Sequence, residues 1–186
     1  MGYSVDLLKL MAEKIGLQLQ FVNGFDFSEL MELFEKGELE VVQSLYRTEA
    51  RERLGLFSAP LYLLQTHVVS RETDPVAAIA DLNGKTVAVP RGWYAGDFLA
   101  EHYPHIKRLS VANAVDALKA VATGRADAVL DTPETVHYLC RKYFINGLVV
   151  GPHFEALDGG SGQGLYLMVQ KDLAPLRDLF NRALAS

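Results

Sequence analysis

The sequence lacks several features that would define its environment or its chemistry. Its 186 residues include a single cysteine, Cys140, so no internal disulfide can form. No apolar run approaches the roughly 20 residues that a membrane-spanning helix needs. No basic segment followed by an apolar one marks a secretory signal, and Asp6 interrupts the apolar residues near the start. An extracytoplasmic location would therefore require that the given sequence be part of a longer one.

Strong charge of one sign and familiar catalytic motifs are also absent. The formal net charge is −5 and there is no block of Lys and Arg, so we expect no nucleic-acid partner. No Gly-x-Ser-x-Gly motif or Cys/His pair indicates nucleophilic catalysis. The histidines show no metal-ligand spacing, and we predict neither a metal nor a cofactor. They are His67, His102, His105, His137 and His153.

What the sequence does contain is an alternation of amphipathic helices and short apolar strands. Helices are predicted between the strands, with N-caps that include Ser4, Asn113, Thr132 and Asp172. This alternation is typical of α/β proteins whose parallel sheets carry helices on both faces. The predicted strands cover residues 17–22, 39–43, 67–71, 86–90, 106–111, 127–130, 148–150 and 165–170.

A weak internal repeat suggests that the chain forms two similar lobes. Residues 34–42 and residues 121–129 each contain the end of a helix, a glycine, and a buried strand that leads to a polar loop. Two lobes of this kind would bring the two polar loops to facing strand ends. A cleft between lobes is a common place for a small ligand.

The first polar loop, residues 44–51, follows the predicted strand 39–43. It places Ser44, Thr48 and Arg51 where a strand gives way to a loop, and ligands of open α/β sheets bind beyond the carboxyl ends of strands. An Arg at such a position can hold a carboxylate through two parallel hydrogen bonds. The alternative is that Arg51 is a solvated helix-surface residue in the charged run 47–53.

Residues beyond this loop extend the pattern. Ser44-Leu45-x-x-Thr48-x-x-Arg51, followed by Phe57-Ser58-x-Pro60-x-Tyr62, resembles the signature of the periplasmic amino-acid-binding proteins, the family 3 extracellular solute-binding proteins. The resemblance covers nearly the whole chain. It implies a two-lobed type 2 periplasmic-binding-protein fold, with a mostly parallel sheet and flanking helices in each lobe. It also implies an extracytoplasmic location and hinged closure of the lobes around a ligand.

The resemblance implies boundaries for the lobes and a role for the first loop. Lobe I would comprise residues 1–62 and 163–186, lobe II residues 66–155, with crossovers near 63–65 and 156–162. In that family the serine loop and its Arg hold the ligand's carboxylate. The corresponding candidates are Gln43, Ser44, Tyr46 and Arg51.

Two further stretches would face the ligand from lobe II. Gly92-Trp93-Tyr94 resembles the Gly-Thr-Thr turn of many amino-acid binders, with aromatic residues in place of the hydroxyl residues. Its backbone N–H groups suit an anion, and its rings could instead line a face for an apolar or cationic ligand, or pack in the core. Many such binders carry an acid near here that accepts the ligand's ammonium. Counted from Asp127, its position falls at Thr132, and Asp131 lies one residue earlier, which can turn a side chain away. Asp131 could instead only complement the dipole of the following helix.

The chain also departs from the family pattern. Members usually begin with a strand, whereas this sequence begins almost at its first helix, so the first strand of lobe I is apparently missing. That strand would lie between strands 17–22 and 39–43. We expect it to be compensated by altered pairing, by sequence upstream in the parent protein, or by a strand from another molecule.

From these features we predict a non-enzymatic ligand-sensing domain of a membrane signalling protein, such as a histidine kinase or a diguanylate cyclase. The C-terminal residues 167–176 and 181–186 resemble those of sensor-type members. Its ligand would be an amino acid or a related small carboxylate. The alternatives are the binding component of an amino-acid ABC transporter, a cyclohexadienyl-dehydratase-like enzyme using Asp131, Glu134 or His137, and a degenerate lobe pair used only for protein contacts.

Overall fold

The chain folds into two compact units, each built on one sheet. The structure is a computed structural model, and it describes residues 3–158 and 163–185. Unit 1 contains the chain up to Phe25, Glu29–Leu63 and the chain from Gly164 onward; unit 2 contains Asp26–Ser28 and Leu64–Gln163. The lobe boundaries implied by the resemblance stay a prediction, because compactness does not show which segments move together.

The elements follow one another in mixed α/β order. The helices are α1 (Tyr3–Lys14), α2 (Phe27–Glu35), α3 (Glu49–Glu52), α4 (Tyr94–His102), α5 (Ala114–Ala122), α6 (Pro133–Tyr143), α7 (Glu155–Asp158) and α8 (Ala174–Leu184). The strands are β1 (Val41–Tyr46), β2 (Leu56–Phe57), β3 (Tyr62–Leu64), β4 (His67–Arg71), β5 (Thr86–Pro90), β6 (Lys107–Val111), β7 (Ala128–Asp131), β8 (Leu148–His153) and β9 (Gln163–Val169). Two 3-10 turns cover Ile79–Leu82 and Lys171–Leu173.

Unit 1 is organised around β9. Strands β1 and β2 flank β9, both pair with it antiparallel, and β3 pairs with it as well. Leu167 of β9 is fully buried and packs with α1 through Leu8 and Met11, and with α8 through Phe180 and Ala183. The apolar spacing of α1 and α8 thus serves to cover one face of this sheet.

Unit 2 is a five-stranded sheet covered on both faces, in the order β6-β5-β7-β4-β8. Alternate residues of β4 enter opposite cores, as the two-residue period of a strand requires. Val68 packs with Phe98 and Leu99 of α4, whereas Val69 packs with Leu118 of α5. Covering both faces explains why β4, β5 and β7 read as continuous apolar runs.

Several sequence-based predictions of local structure are confirmed. Strands 67–71 and 86–90 have the predicted limits. The Asn113 side chain caps α5 by accepting a hydrogen bond from the Asp116 N–H at 2.9 Å. Thr132 caps α6 in the same way, with Pro133 in the first turn.

Other predictions are wrong. Ser4 and Asp172 cap no helix: α1 already includes Tyr3, and Asp172 lies in a 3-10 turn before α8, whose early proline favours a start at Ala174. Residues 17–22 alternate correctly but form no strand in the part of the chain that the structure describes. Phe21 and Val22 there are exposed, because alternation alone cannot form a strand without a neighbour to receive its hydrogen bonds.

Mostly parallel sheets were predicted for both units, and this holds only for part of unit 2. Strand β5 pairs parallel with β6 and with β7, whereas β4 pairs antiparallel with β7 and β8. In unit 1, β9 runs antiparallel to β1 and β2. The reason is that β9 comes from the end of the chain rather than from a helical crossover after β1.

Gly55 offers a test of how tightly unit 1 is packed. A Cβ at Gly55 would lie 2.6 Å from the Val169 carbonyl oxygen of β9. We expect Gly55→Ala to lower the free energy of unfolding by about 1–3 kcal/mol through overpacking. Gly124→Ala is the control, since it meets only the strain of a φ of +76° with no atom within 4 Å, about 1 kcal/mol. Chemical denaturation compares the two, and a smaller loss for Gly55→Ala would contradict the packing of β9.

Candidate functional site

The candidate residues of unit 1 lie on β1 and α3. Gln43, Ser44 and Tyr46 were predicted in or just before a loop, but β1 extends through Tyr46. Ser44 has a φ of +58°, and the register against β9 shifts between Gln43 and Leu45. A positive φ is uncommon for a residue other than glycine, and such a bulge redirects the side chains around it. The Ser44 and Tyr62 hydroxyl oxygens lie 3.4 Å apart at this bulge.

Gln43 carries an unsatisfied acceptor. Its Oε1 atom is buried and has no hydrogen-bond partner among the described residues. Buried polar atoms are nearly always hydrogen-bonded, because leaving one unpaired costs roughly 1–3 kcal/mol. The side chain of Gln43 is therefore suited to accept a hydrogen bond from an N–H or O–H group outside the protein.

Arg51 differs from the arginines on either side of it. Arg47 and Arg53 are mostly exposed and pair with Glu52 and Glu49. Arg51 is half-buried, and its Nη1 donates to the Tyr46 carbonyl oxygen at 2.9 Å. This bond fixes the direction of the guanidinium against the end of β1, so Arg51 is not a freely solvated surface residue.

The backbone around Arg51 is fixed as well. Thr48 caps the short helix α3, and its hydroxyl accepts from the Arg51 N–H at 3.2 Å. The Ser-to-Arg spacing of the sequence pattern thus corresponds to a strand end, a cap and one helical turn.

In unit 2, Gly92, Trp93 and Tyr94 form the turn between β5 and α4. Gly92 has a φ of +74°, and Trp93 is the residue that precedes the first turn of α4. The rings of Trp93 and Tyr94 are half-buried and pack against the core cluster that contains Phe98 and Leu99. The pKa of Tyr94 is raised, mainly by burial and to a smaller extent by the nearby Glu101 carboxylate. The packing of these rings fits the core alternative, and a ligand contact by either ring stays a prediction.

Asp131 is the most unusual polar residue of unit 2. It ends β7 and is almost completely buried. Its Oδ1 accepts from the Thr132 N–H at 2.7 Å, whereas Oδ2 is buried without a partner in the described part of the chain. Burial raises the pKa of this carboxyl to about 7, although the hydrogen bond from Thr132 lowers it. A buried carboxyl with one unpaired oxygen favours a cation or a hydrogen-bond donor as its partner.

Thr132 has a structural role that limits what else it can do. Its hydroxyl accepts from the Thr135 N–H at 3.3 Å and lies 2.9 Å from the Thr135 hydroxyl. Capping of α6 therefore occupies Thr132, and Asp131 is the better candidate of the two for contact with a ligand.

The structure also brings a residue to Asp131 that the sequence analysis set aside. His67, the first residue of β4, pairs across the strands with Asp131 of β7. On its other side, His67 pairs with His153 of β8. The strands were predicted from the sequence. The alternation of apolar and polar residues, however, shows only which face of the sheet a side chain occupies and not which residue it pairs with on the next strand. Within residues 3–158 and 163–185, no group of three or more His, Cys, Asp or Glu residues is placed to hold a metal ion.

Comparison with known proteins gives one family and several relatives. The family model of bacterial extracellular solute-binding proteins, family 3, matches residues 1–186. The virulence sensor protein BvgS of Bordetella bronchiseptica is 32% identical over 187 residues, which cover 100% of this chain and 15% of BvgS. The membrane-bound lytic murein transglycosylase F of Aeromonas salmonicida is 31% identical over 150 residues, 77% of this chain and 30% of that enzyme. The chain thus spans less than a third of either relative.

Solved structures are similar to this chain over almost its whole length. A histidine kinase sensor domain with similarity to periplasmic binding proteins has a TM-score of 0.87 and 26% identity, covering 99% of this chain and 78% of that one. A mutant of arginine-bound ArgBP from T. maritima has a TM-score of 0.83 and 27% identity, covering 100% and 84%. These likenesses establish the type 2 periplasmic-binding-protein fold. None of the helices in the described residues is both long and apolar enough to cross a membrane.

The raised pKa of Asp131 predicts a pH-dependent stability. A group whose pKa is higher in the folded state stabilises the fold at low pH, and this contribution is lost as the pH rises through the folded value, here about 7. Asp131→Asn removes the ionisation. We expect the free energy of unfolding of the unaltered protein to fall by roughly 2–3 kcal/mol relative to the variant between pH 5 and pH 8. Denaturant titrations at both pH values measure this, and parallel pH profiles would contradict the burial of the ionised carboxyl.

Proposed function

This chain belongs to the bacterial extracellular solute-binding proteins, family 3, and we propose that it binds a small, amino-acid-like carboxylate as the ligand-sensing domain of a membrane signalling protein. The observation that supports the ligand class most strongly is the buried Asp131 carboxyl, whose Oδ2 has no partner in the described residues. An ammonium group would supply the missing donors and the opposite charge.

Arg51 supplies the complementary half of this proposal. A half-buried guanidinium fixed by the Tyr46 carbonyl suits a carboxylate, which it can hold with charge-assisted hydrogen bonds. An α-amino acid carries both a carboxylate and an ammonium. A cation on unit 1 and a carboxyl on unit 2 are the charges that would bind the two ends of such a zwitterion.

The other candidate residues would orient the ligand. Gln43, with its unpaired Oε1, would accept from the ligand's amino group or side chain, and Ser44 and Tyr46 would position the carboxylate. Gly92, Trp93, Tyr94 and Thr132 would contribute from unit 2. Ligand binding would shift a population of open and closed forms, and the signalling partner would respond to that shift.

A sensing role is favoured over transport by the relatives. BvgS is named a virulence sensor, and one structural neighbour is a histidine kinase sensor domain. Both likenesses extend over almost the whole of this chain. The location would be extracytoplasmic. The binding component of an amino-acid ABC transporter is the second candidate, because a putative amino-acid ABC transporter-binding protein, PatH, is also 26% identical over 186 residues.

The proposed domain is not an enzyme. Glu134 and His137, the acid/base candidates near Asp131, are exposed side chains on α6. Asp131 itself forms its single described side-chain hydrogen bond to the backbone of Thr132. The transglycosylase relative carries a similar region within a much longer chain, so its resemblance to this domain does not assign its chemistry here.

A thermal-shift screen against amino acids and small carboxylates tests the proposal. A ligand at about 100 times its dissociation constant stabilises the binding-competent fold by about 2.7 kcal/mol. We expect a hit that is lost in Arg51→Ala, because the carboxylate loses its cation. Arg53→Ala is the matched control at the C-terminal cap of α3, since Arg53 is exposed and pairs only with Glu49 among described contacts.

The outcomes separate the alternatives. A hit retained by Arg51→Ala would place the carboxylate elsewhere and contradict the role of Arg51. Equal losses in Arg51→Ala and Arg53→Ala would indicate a general charge effect rather than a specific contact. Turnover of prephenate or arogenate would replace the binding function with the dehydratase alternative.

A further inference from the structure

A row of polar side chains crosses one end of the unit 2 sheet. We call Asp131, His67, His153 and Asp158 the polar row. His67 of β4 lies opposite Asp131 of β7 and opposite His153 of β8 in the strand registers. Residues directly opposite one another on neighbouring strands project to the same face, with Cβ atoms about 4.5–5.5 Å apart. The row therefore starts at the proposed ligand contact and extends away from it across the sheet.

A bulge at Gly151 aligns the two histidines. The register between β4 and β8 shifts between His67 and Val69, and Gly151 lies in the shifted part of β8. A Cβ at Gly151 would lie 2.9 Å from the Val76 carbonyl oxygen, so this close approach needs glycine. As a result the His67 and His153 rings are stacked, with centroids 5.3 Å apart and planes at 28°.

Both imidazoles are held by specific partners. His67 Nδ1 lies 2.9 Å from the Gly151 carbonyl oxygen. A carbonyl only accepts, so Nδ1 carries the hydrogen. His153 Nε2 lies 2.8 Å from Oδ2 of Asp158, whose side chain is fully buried. The orientation of each ring is thus fixed by a hydrogen-bond partner of its own.

Asp158 at the far end of the row also binds Thr66. The Thr66 N–H donates to Asp158 Oδ2 at 2.6 Å, and the Thr66 hydroxyl donates to Oδ1 at 2.9 Å. The Phe154 N–H in turn donates to the Thr66 carbonyl oxygen at 2.8 Å. We call the Thr66–Asp158 pair the clasp.

The clasp lies beside the point where the chain enters unit 2. The chain enters unit 2 at Leu64, two residues before Thr66. The buried carboxylate of Asp158 therefore holds the first residues of this unit through Thr66. A change in the hydrogen bonds of this carboxylate would alter how Thr66 is held.

We propose that His67 and His153 are positioning residues that couple the state of the Asp131 side chain to the clasp. The proposal rests on the proposed function only for the role of Asp131 as the ligand contact. Stacked rings with fixed partners have few alternative arrangements, so a change in the charge or hydrogen bonding of Asp131 moves His67 and is passed to His153 and Asp158. Occupancy of the site would then alter the hydrogen bonds that hold Thr66 at the start of unit 2.

The test perturbs one end of the row and observes the other, in the full chain without any ligand. Asp131→Asn keeps the shape of the side chain and removes its charge. Amide hydrogen exchange of Thr66 reports the clasp, and nitrogen NMR of the imidazoles reports the tautomer and charge of His67 and His153. We expect at least a threefold change in the Thr66 exchange rate, together with shifts of the His153 ring nitrogens.

Two further variants make the test specific. His67→Phe keeps a stacking ring but removes the nitrogen atoms, and in this background Asp131→Asn should leave Thr66 exchange unchanged. Asp127→Asn is the matched control: Asp127 immediately precedes β7 and accepts from the Thr86 N–H at 2.8 Å, at the opposite end of the strand from the row. It should leave Thr66 exchange and the His153 nitrogens unchanged.

Three results would overturn the proposal. These are unchanged Thr66 exchange in Asp131→Asn, an equal effect of Asp131→Asn with and without His67, and an equal effect of Asp127→Asn. Asp131→Ser is measured alongside with the same expectations, so that a folding defect of one variant does not decide the result. Because no ligand is used, the coupling can fail while ligand binding is found, and binding can fail while the coupling is found.

Discussion

Recognition of the proposed ligand depends on the free-energy cost of burying the Asp131 carboxyl group with one oxygen unpaired. Asp131 is held at the end of β7 by a sheet that is covered on both faces, and its backbone cannot move away from that position without breaking the ladder to β4 and β5. The fold therefore keeps an unfavourable group where it is, and this burial raises the pKa of Asp131 to about 7. A cationic group or a hydrogen-bond donor that pairs with Asp131 would recover that free energy, so Asp131 favours the binding of such groups.

Arg51 in unit 1 and Asp131 in unit 2, the two charged contacts proposed for the ligand, are held by different structural means. In unit 1, a bulge at Ser44 and a short capped helix direct Arg51 toward the end of β1. In unit 2, the antiparallel placement of β4 between β7 and β8 puts His67 next to Asp131 and carries the polar row toward Asp158. A parallel strand at that position would present its other end to Asp131. The mixed topology of this sheet thus places the candidate ligand contact in one row with the Asp158 carboxylate that holds Thr66.

Much of the fold could be predicted from side chains that are close in sequence. Features that depend on the register between paired strands could not. The caps at Asn113 and Thr132 and the limits of β4 and β5 follow from side chains close in sequence. The family pattern names Arg51, Asp131 and Thr132 as candidates, and their contact with a ligand stays a prediction. The shift at Ser44, the proximity of His67 to Asp131 and the absence of a strand over residues 17–22 in the described structure depend on which segments pair. That information is not contained in the alternation of any single segment.

The most direct test of the central claim is amide chemical-shift mapping during titration with the solute that stabilises the protein. We expect the amides of Ser44 in unit 1 and Thr132 in unit 2 to shift together and to reach half-saturation at the same solute concentration, because the proposed ligand would be held by both Arg51 and Asp131. Shifts confined to one unit, or two different half-saturation concentrations, would contradict a single amino-acid-like ligand held by Arg51 and Asp131.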